Sequence, residues 1–313
     1  MRAIDLFCGA GGSSLGAVMA GAEIVAGFDV WQVAERIYRA NFPRARFYLR
    51  DLATLSESDI RGLCDDLGPV DLILASPDCS SHSLARGDRP PCGKSLELPW
   101  CVWAFARVFR PRWVVVENVP ALRRWRSYES FLRALRERYH VREQVLDASD
   151  FGVPQRRKRL YIVCDRDADP PEIAPRTRPA PARDVIDFDR YPYTPLYTPR
   201  RARRTVERAE RAFRALGRDA VYLMVYYGSG PQWQTLDVPL RTVTTSGHFA
   251  LVRPDGRGGH EMRMLQPDEL RAAMGFPSDF GLFGTRADRM RLLGNAVCPP
   301  VMRTIVETLT LGA

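Results

Sequence analysis

The chain has 313 residues, 45% of them hydrophobic and 27% charged, with a formal net charge of +9. That size and balance fit a globular α/β protein with room for a second lobe. Its seven cysteines include no Cys-x-x-Cys pair and its four histidines are scattered, which argues against a disulfide framework, a zinc ribbon or any other metal site.

The opening stretch "AIDLFCGAGGSSLGAVMAGAEIVAGFDV" reads as strand, glycine turn, helix and second strand, closing on Asp29. Further strand candidates are "VDLILA" (70–75), "RWVVVEN" (112–118), "VREQVLDA" (141–148) and "RLYIVC" (159–164). Helices are expected at 13–20, 31–41, 56–66, 99–109 and 127–138. This alternation is the pattern of a mostly parallel sheet wrapped by helices. A long polar stretch after "VDLILA" reads as a functional loop. Beyond Cys164 the chain turns proline-rich and is expected to be a linker or irregular coil. An arginine-rich helix (199–217) and a glycine-broken β-like section (221–252) follow. "QPDELRAAMGF" suggests a connecting helix, and "RLLGNAVCPPVMRTIVETL" a turn and final helix. The expected division is a first lobe over 1–174, a second over 175–261, and a segment at 262–313 that returns to the first.

The excess of positive charge points to a polyanionic partner, most simply nucleic acid. Only two lysines occur, Lys94 and Lys158. Coding bias therefore accounts for the choice of arginine, but not for the net excess. No apolar run approaches the ~18 residues of a membrane helix, so no membrane partner is expected. A strand starting at Arg2 leaves no space for a leader, and the expected location is cytoplasmic.

Several residues can carry chemistry. Gly9, Gly11 and Gly12 make the opening turn, but Ser14 stands where a dinucleotide fingerprint has its third glycine. Asp29 is placed to bind ribose hydroxyls. A nicotinamide dinucleotide and S-adenosyl-L-methionine both satisfy this pattern. Asp51, after a third strand, offers an acceptor for an adenine amino group; a capping acid is the plain alternative. Cys79 stands in a polar loop, "ASPDCSSHS", at a strand end where open α/β sheets bind their ligands. A buried structural thiol is the usual reading of a cysteine, yet these neighbours suit a nucleophile. "VVVENV" brings Glu117 and Asn118 to the same sheet edge. A thiolate and an acid there could add to an electron-poor ring and stabilise the charge that develops on it. Gln155, Arg157 and Arg159 alternate into a strand and so share one face, as either a solvated edge or a set of phosphate and base contacts.

Taken in order, these segments resemble the motifs of the cytosine-5 DNA methyltransferases. "DLFCGAGG" resembles the cofactor turn, Asp29 the ribose acid, "SPDC" the nucleophile loop, "ENV" the base-recognition acid and "QRRKR" the basic motif. "PLRTVTT" (239–245) and "GNAVCPP" (294–300) resemble the family's closing motifs. The resemblance covers nearly the whole chain except about 166–235. It implies a Rossmann-like, S-adenosylmethionine-dependent methyltransferase domain with a smaller target-recognition lobe. Phe7, Gly9, Gly11, Gly12, Asp29, Val30, Asp51, Leu52, Pro77, Asn295 and Ala296 would hold the cofactor. Cys79, Glu117, Arg157 and Arg159 would be catalytic. Ser83, Gln155, Ser229, Gln232, Arg241 and Thr242 would contact DNA. Cys79 would add to carbon 6 of a flipped-out cytosine while Glu117 supports ring nitrogen 3, with loop 80–98 closing over the base.

The sequence departs from the family pattern at Asp78 and Ser80, where proline and glutamine usually flank the cysteine. It departs again at Val30, where an aromatic or acid usually follows the ribose acid. The implied partner is double-stranded DNA, acted on by a monomer, with a cognate restriction endonuclease left open. A tRNA cytosine methyltransferase is the nearer alternative, but its Cys-Phe-Thr signature is absent. A non-catalytic DNA-binding paralogue is the other.

Overall fold

The computed structural model describes residues 1–78, 97–228 and 230–311. Two sheets organise them. The larger has seven strands in the order β3-β2-β1-β4-β5-β7-β6. They are β1 (Arg2–Leu6), β2 (Glu23–Asp29), β3 (Arg46–Leu49), β4 (Leu72–Ala75), β5 (Trp113–Asn118), β6 (His140–Asp147) and β7 (Lys158–Asp165). The pairs from β3 across to β5 are parallel, while β7 runs antiparallel to both β5 and β6.

Side-chain alternation explains why this sheet is covered on both faces. Leu72, Leu74, Val115, Tyr161 and Val163 join one apolar cluster. Ile73, Ala75, Val114, Val116, Leu160 and Ile162 join the other. Period-2 geometry sends neighbours to opposite faces, so these strands read as continuous apolar runs. Helices α1 (Gly12–Met19), α2 (Gln32–Asn41) and the C-terminal α9 (Pro299–Leu311) supply the first cluster. Helices α3 (Glu57–Leu67), α4 (Leu98–Phe109) and α5 (Tyr128–Arg136) supply the second. The final helix packs against α1.

The second sheet is wholly antiparallel, in the order β10-β9-β11-β12-β8. It comprises β8 (Thr194–Pro195), β9 (Tyr222–Val225), β10 (Trp233–Gln234), β11 (Phe249–Pro254) and β12 (His260–Met264). The arginine-rich helix α6 (Arg203–Leu216) buries Ala209, Ala212 and Phe213 against Tyr222, Met224 and Val252 of this sheet. Strand β12 leads into α7 (Pro267–Ala273), and a buried Arg263–Glu269 ion pair of 2.7 Å ties the two together.

The short edge strand β3 lies just before Asp51, as expected, and buries only Phe47 firmly. The structure adds detail to the sequence reading in two places. A helix, α8 (Arg286–Asn295), precedes the last turn; its signal is the Thr285–Asp288 capping box. The proline-rich stretch after Cys164 is irregular but not a free linker. Gln144 of β6 donates from Nε2 to Ile173 O and accepts from Ile173 N, and Arg142 donates to Pro170 O. Those bonds lay the stretch along the exposed edge of the sheet and bury Ile173.

Candidate active site

A cavity of about 370 Å³ opens at the carboxyl ends of β1, β2, β4 and β5. Its walls gather residues from all along the sequence: Phe7, Gly9 and Gly12; Asp29 and Val30; Asp51 and Leu52; Pro77 and Asp78; Glu117; Arg157 and Arg159; Asn295 and Ala296. Gly11 lies just behind them, at the start of α1.

The turn after β1 needs its glycines. Gly11 sits at the N-cap of α1 with φ +80°, a left-handed conformation that glycine adopts without strain. A Cβ on Gly12 would drive into the Val297 carbonyl oxygen, so the turn and the C-terminal motif meet backbone to backbone. Asp29 fixes the turn from the next strand: Oδ2 accepts from Gly9 N at 2.9 Å and Oδ1 from Trp31 N at 3.0 Å. Burial raises the Asp29 pKa, and those backbone bonds counter it. Beneath the turn, Asp5 Oδ2 accepts from Ser14 Oγ at 2.6 Å, and Ser14 Oγ meets Tyr38 OH at 2.8 Å. Asp5 Oδ1 is buried without a partner, and burial pushes this carboxyl up to about 7. Asp51 caps the short helical turn at Leu52–Thr54, accepting from Ala53 N at 3.0 Å, while also lining the cavity.

The opposite wall carries the charged groups. Glu117 is 6% exposed, and Arg159 Nε lies 3.1 Å from its Oε1. Burial raises the Glu117 pKa, against the pull of Arg159 and Arg157. Asn118 Nδ2 donates to Pro77 O at 2.9 Å, so the "ENV" strand end holds the root of the "SPDC" loop. Cys79 and Ser83 lie outside the described residues, but the chain enters Cys79 directly from Asp78 on the cavity wall. The five described cysteines are all free. Burial raises the thiol pKa of Cys8, and pushes Cys101 and Cys298 up to about 11. None of those is an activated nucleophile. No cluster of three or more metal-ligating side chains occurs among the described residues.

Two of the expected site residues are buried in hydrogen-bond networks. Gln155 is placed against DNA by the sequence reading, yet it is 0% exposed. Its Oε1 accepts from Val243 N at 2.8 Å and its Nε2 donates to Ala273 O at 3.1 Å. Arg157 is 2% exposed and donates to the carbonyls of Val243, Gly294 and Ala296 at 3.0, 2.8 and 3.0 Å. Alternation does align the two with Arg159, but that face turns into the seam between "PLRTVTT" and "GNAVCPP". An amide and a guanidinium are what such a seam requires to satisfy its backbone groups. Arg159 pairs with Glu117 in the cavity, and the charge of Arg157 also acts on that acid.

In the second lobe, Thr242 Oγ1 donates to Arg156 O at 2.9 Å, and Arg241 N donates to Gln234 Oε1 at 3.1 Å. Gln232 lies immediately before β10; Ser229 is outside the described residues. Sequence reasoning missed Trp31 and Arg291, which both line the cavity, with the guanidinium 4.7 Å from the indole centre. Val30, beside Asp29, is 64% exposed, so the aromatic surface comes one residue later than the family pattern suggests. An aromatic two residues after the ribose acid was the available signal.

The chain matches the C-5 cytosine-specific DNA methylase family over residues 1–310. It is 30% identical to the Type II methyltransferase M.HgiDI of Herpetosiphon aurantiacus, with 95% of this chain and 90% of that protein covered. It is 29% identical to the Type II methyltransferase M.AplI of Arthrospira platensis, covering 98% and 85%. The S. pombe Dnmt2 methyltransferase shares the fold with a TM-score of 0.70 at 19% identity, covering 100% of this chain and 98% of that one.

Proposed function

Because this chain belongs to the C-5 cytosine-specific DNA methylase family, and is by that membership a DNA cytosine methyltransferase, we propose how its cavity works. It takes a cytosine flipped out of double-stranded DNA and methylates carbon 5, using S-adenosyl-L-methionine held at the strand ends. One observation carries the reading: a single cavity is lined by the glycine turn, Asp29, Glu117 and the residue that precedes Cys79.

The residues present fit the cofactor. The glycine turn lets backbone approach closely, and no phosphate-directed side chain is required there. Asp29 would accept hydrogen bonds from the ribose hydroxyls, Trp31 would offer an aromatic surface, and Asp51 with Leu52 would border the adenine end. S-adenosyl-L-methionine supplies the electrophilic methyl group that carbon 5 accepts.

The protein's own groups make carbon 5 able to accept it. The Cys79 thiolate forms a bond to carbon 6. Glu117, whose proton is favoured by burial, supports nitrogen 3 as the ring's electrons move toward carbon 5. After methylation the carbon 5 proton leaves to a base, the carbon 6–sulfur bond breaks, and the thiolate is restored. Arg159 holds Glu117 in place.

The second sheet with its own apolar cluster supports a division into catalytic (1–174), target-recognition (175–261) and returning (262–313) segments. The Type II names of the relatives support a place beside a cognate restriction endonuclease. Bisulfite sequencing of DNA from cells that express the protein tests the reading. Protected cytosines within one recurrent sequence are expected; full conversion would overturn it.

A further inference from the structure

The far end of the large sheet carries a second cavity, of about 360 Å³, lined by Ala106, Arg110, Arg138, Tyr139 and Arg166. Topology brings these residues together. Arg110 follows α4, Arg138 and Tyr139 lie between α5 and β6, and Arg166 follows β7. Trp113 of β5 pairs with Asp165 of β7, so the arginines gather where β5 begins. Glu117 and the first cavity lie toward the other end of that strand.

Three guanidinium groups around one hollow repel one another unless something negative joins them. No described acid lines this cavity. Arg110 and Arg138 have no ion pair with any described acid, and Arg166 Nε meets only Asp167 Oδ1, at 3.3 Å. Carbonyls at the ends of α4 and α5 favour nearby cations, and Arg166 Nη1 donates to Arg110 O at 2.8 Å. That bond occupies part of one guanidinium and leaves the other two uncompensated. Arg138 lies 5.9 Å from the Trp103 ring centre, a contact that places the group without neutralising it. Burial pushes the Tyr139 phenol up to about 12 against the pull of Arg166 and Arg138, so both charges reach the hollow. The backbone at Arg110 breaks a local rule as well. Its φ of 50° and ψ of 47° are left-handed, a helix-end conformation that suits glycine better than arginine.

We propose that this hollow is a binding site for phosphate groups, held by the guanidinium forks of Arg110, Arg138 and Arg166. Phosphate oxygens accept from such forks in pairs and bring the negative charge that the cluster lacks. The phosphates belong either to DNA that passes round the far end of the sheet or to a free phosphate compound.

The test titrates the full chain with inorganic pyrophosphate by calorimetry. It also measures the salt dependence of binding to a short duplex and to one long enough to reach the far end. The variant is Arg110→Gly/Arg138→Gln. Glycine suits the left-handed position and Arg138 has no ion pair to lose, so the Tm should not fall. Pyrophosphate affinity should drop about tenfold or more, while the short duplex is methylated at the wild-type rate. If DNA is the source, the long duplex should also lose about two units of salt slope. An unchanged slope with lost pyrophosphate affinity assigns the site to a free phosphate compound. Equal pyrophosphate affinity in wild type and variant, with an unchanged long-duplex slope, would overturn the proposal. If the double variant unfolds, Arg110→Gly alone carries the same comparison: a severalfold loss of affinity at undiminished Tm supports the site, and no loss overturns it.

Discussion

Arg159 Nε lies 3.1 Å from Glu117 Oε1, both side chains largely buried, on adjacent antiparallel strands. The contact sets two effects against each other on one carboxyl: burial raises its pKa, and the arginines lower it, with burial prevailing. An acid poised in this way stabilises charge that develops only in the activated base. Glu117→Gln should therefore lower the single-turnover rate by about two orders of magnitude or more, with DNA affinity little changed. Quench-flow turnover together with a binding titration checks both halves.

Arg157 should behave differently from a phosphate-binding arginine. Its guanidinium joins Val243, Gly294 and Ala296 across the seam, so Arg157→Ala leaves buried carbonyls without donors. A loss of about 3 kcal/mol or more is expected, read as a lower Tm even without DNA. A variant with wild-type Tm and a flatter salt dependence of DNA binding would contradict that role.

Asp5 predicts a pH dependence of stability. Its folded-state pKa, about 7, lies above the ordinary carboxylate value of 3.8. Between these values the folded protein keeps a proton that the unfolded chain has released, so stability falls as pH rises across the window. Asp5→Asn removes the buried charge and keeps an acceptor for Ser14. Its Tm should exceed that of the wild type at pH 8, with the difference vanishing near pH 4. Equal shifts at both pH values would argue against a buried, protonated Asp5.

The parallel strands were legible because burial on both faces makes them continuous apolar runs, as in "VDLILA" and "WVVVEN". Asp29 and Glu117 were legible because each ends such a run. The seam was not. Periodicity placed Gln155 and Arg157 on one face but cannot say what covers that face, and the cover comes from residues 243 and 294–296, far along the chain.

Asp78 lines the cavity immediately before Cys79. A carboxylate beside a thiol disfavours the thiolate, and it lacks the fixed φ that proline gives a loop. The single-turnover rate should still climb above about pH 8. Asp78→Pro should move that rise to lower pH and speed the reaction at neutrality. An unchanged pH–rate profile would show that Asp78 does not act on the sulfur.

The most direct test of covalent catalysis at Cys79 is a trapping experiment with duplex DNA carrying 5-fluorocytosine at the target position. Fluorine at carbon 5 blocks the final elimination, so the protein–DNA bond persists when S-adenosyl-L-methionine is present. Peptide mapping of the adduct should find the modified base on Cys79, and Cys79→Ser should form none. No adduct with the active wild type, or an adduct on Cys101 or another cysteine, would contradict the assignment.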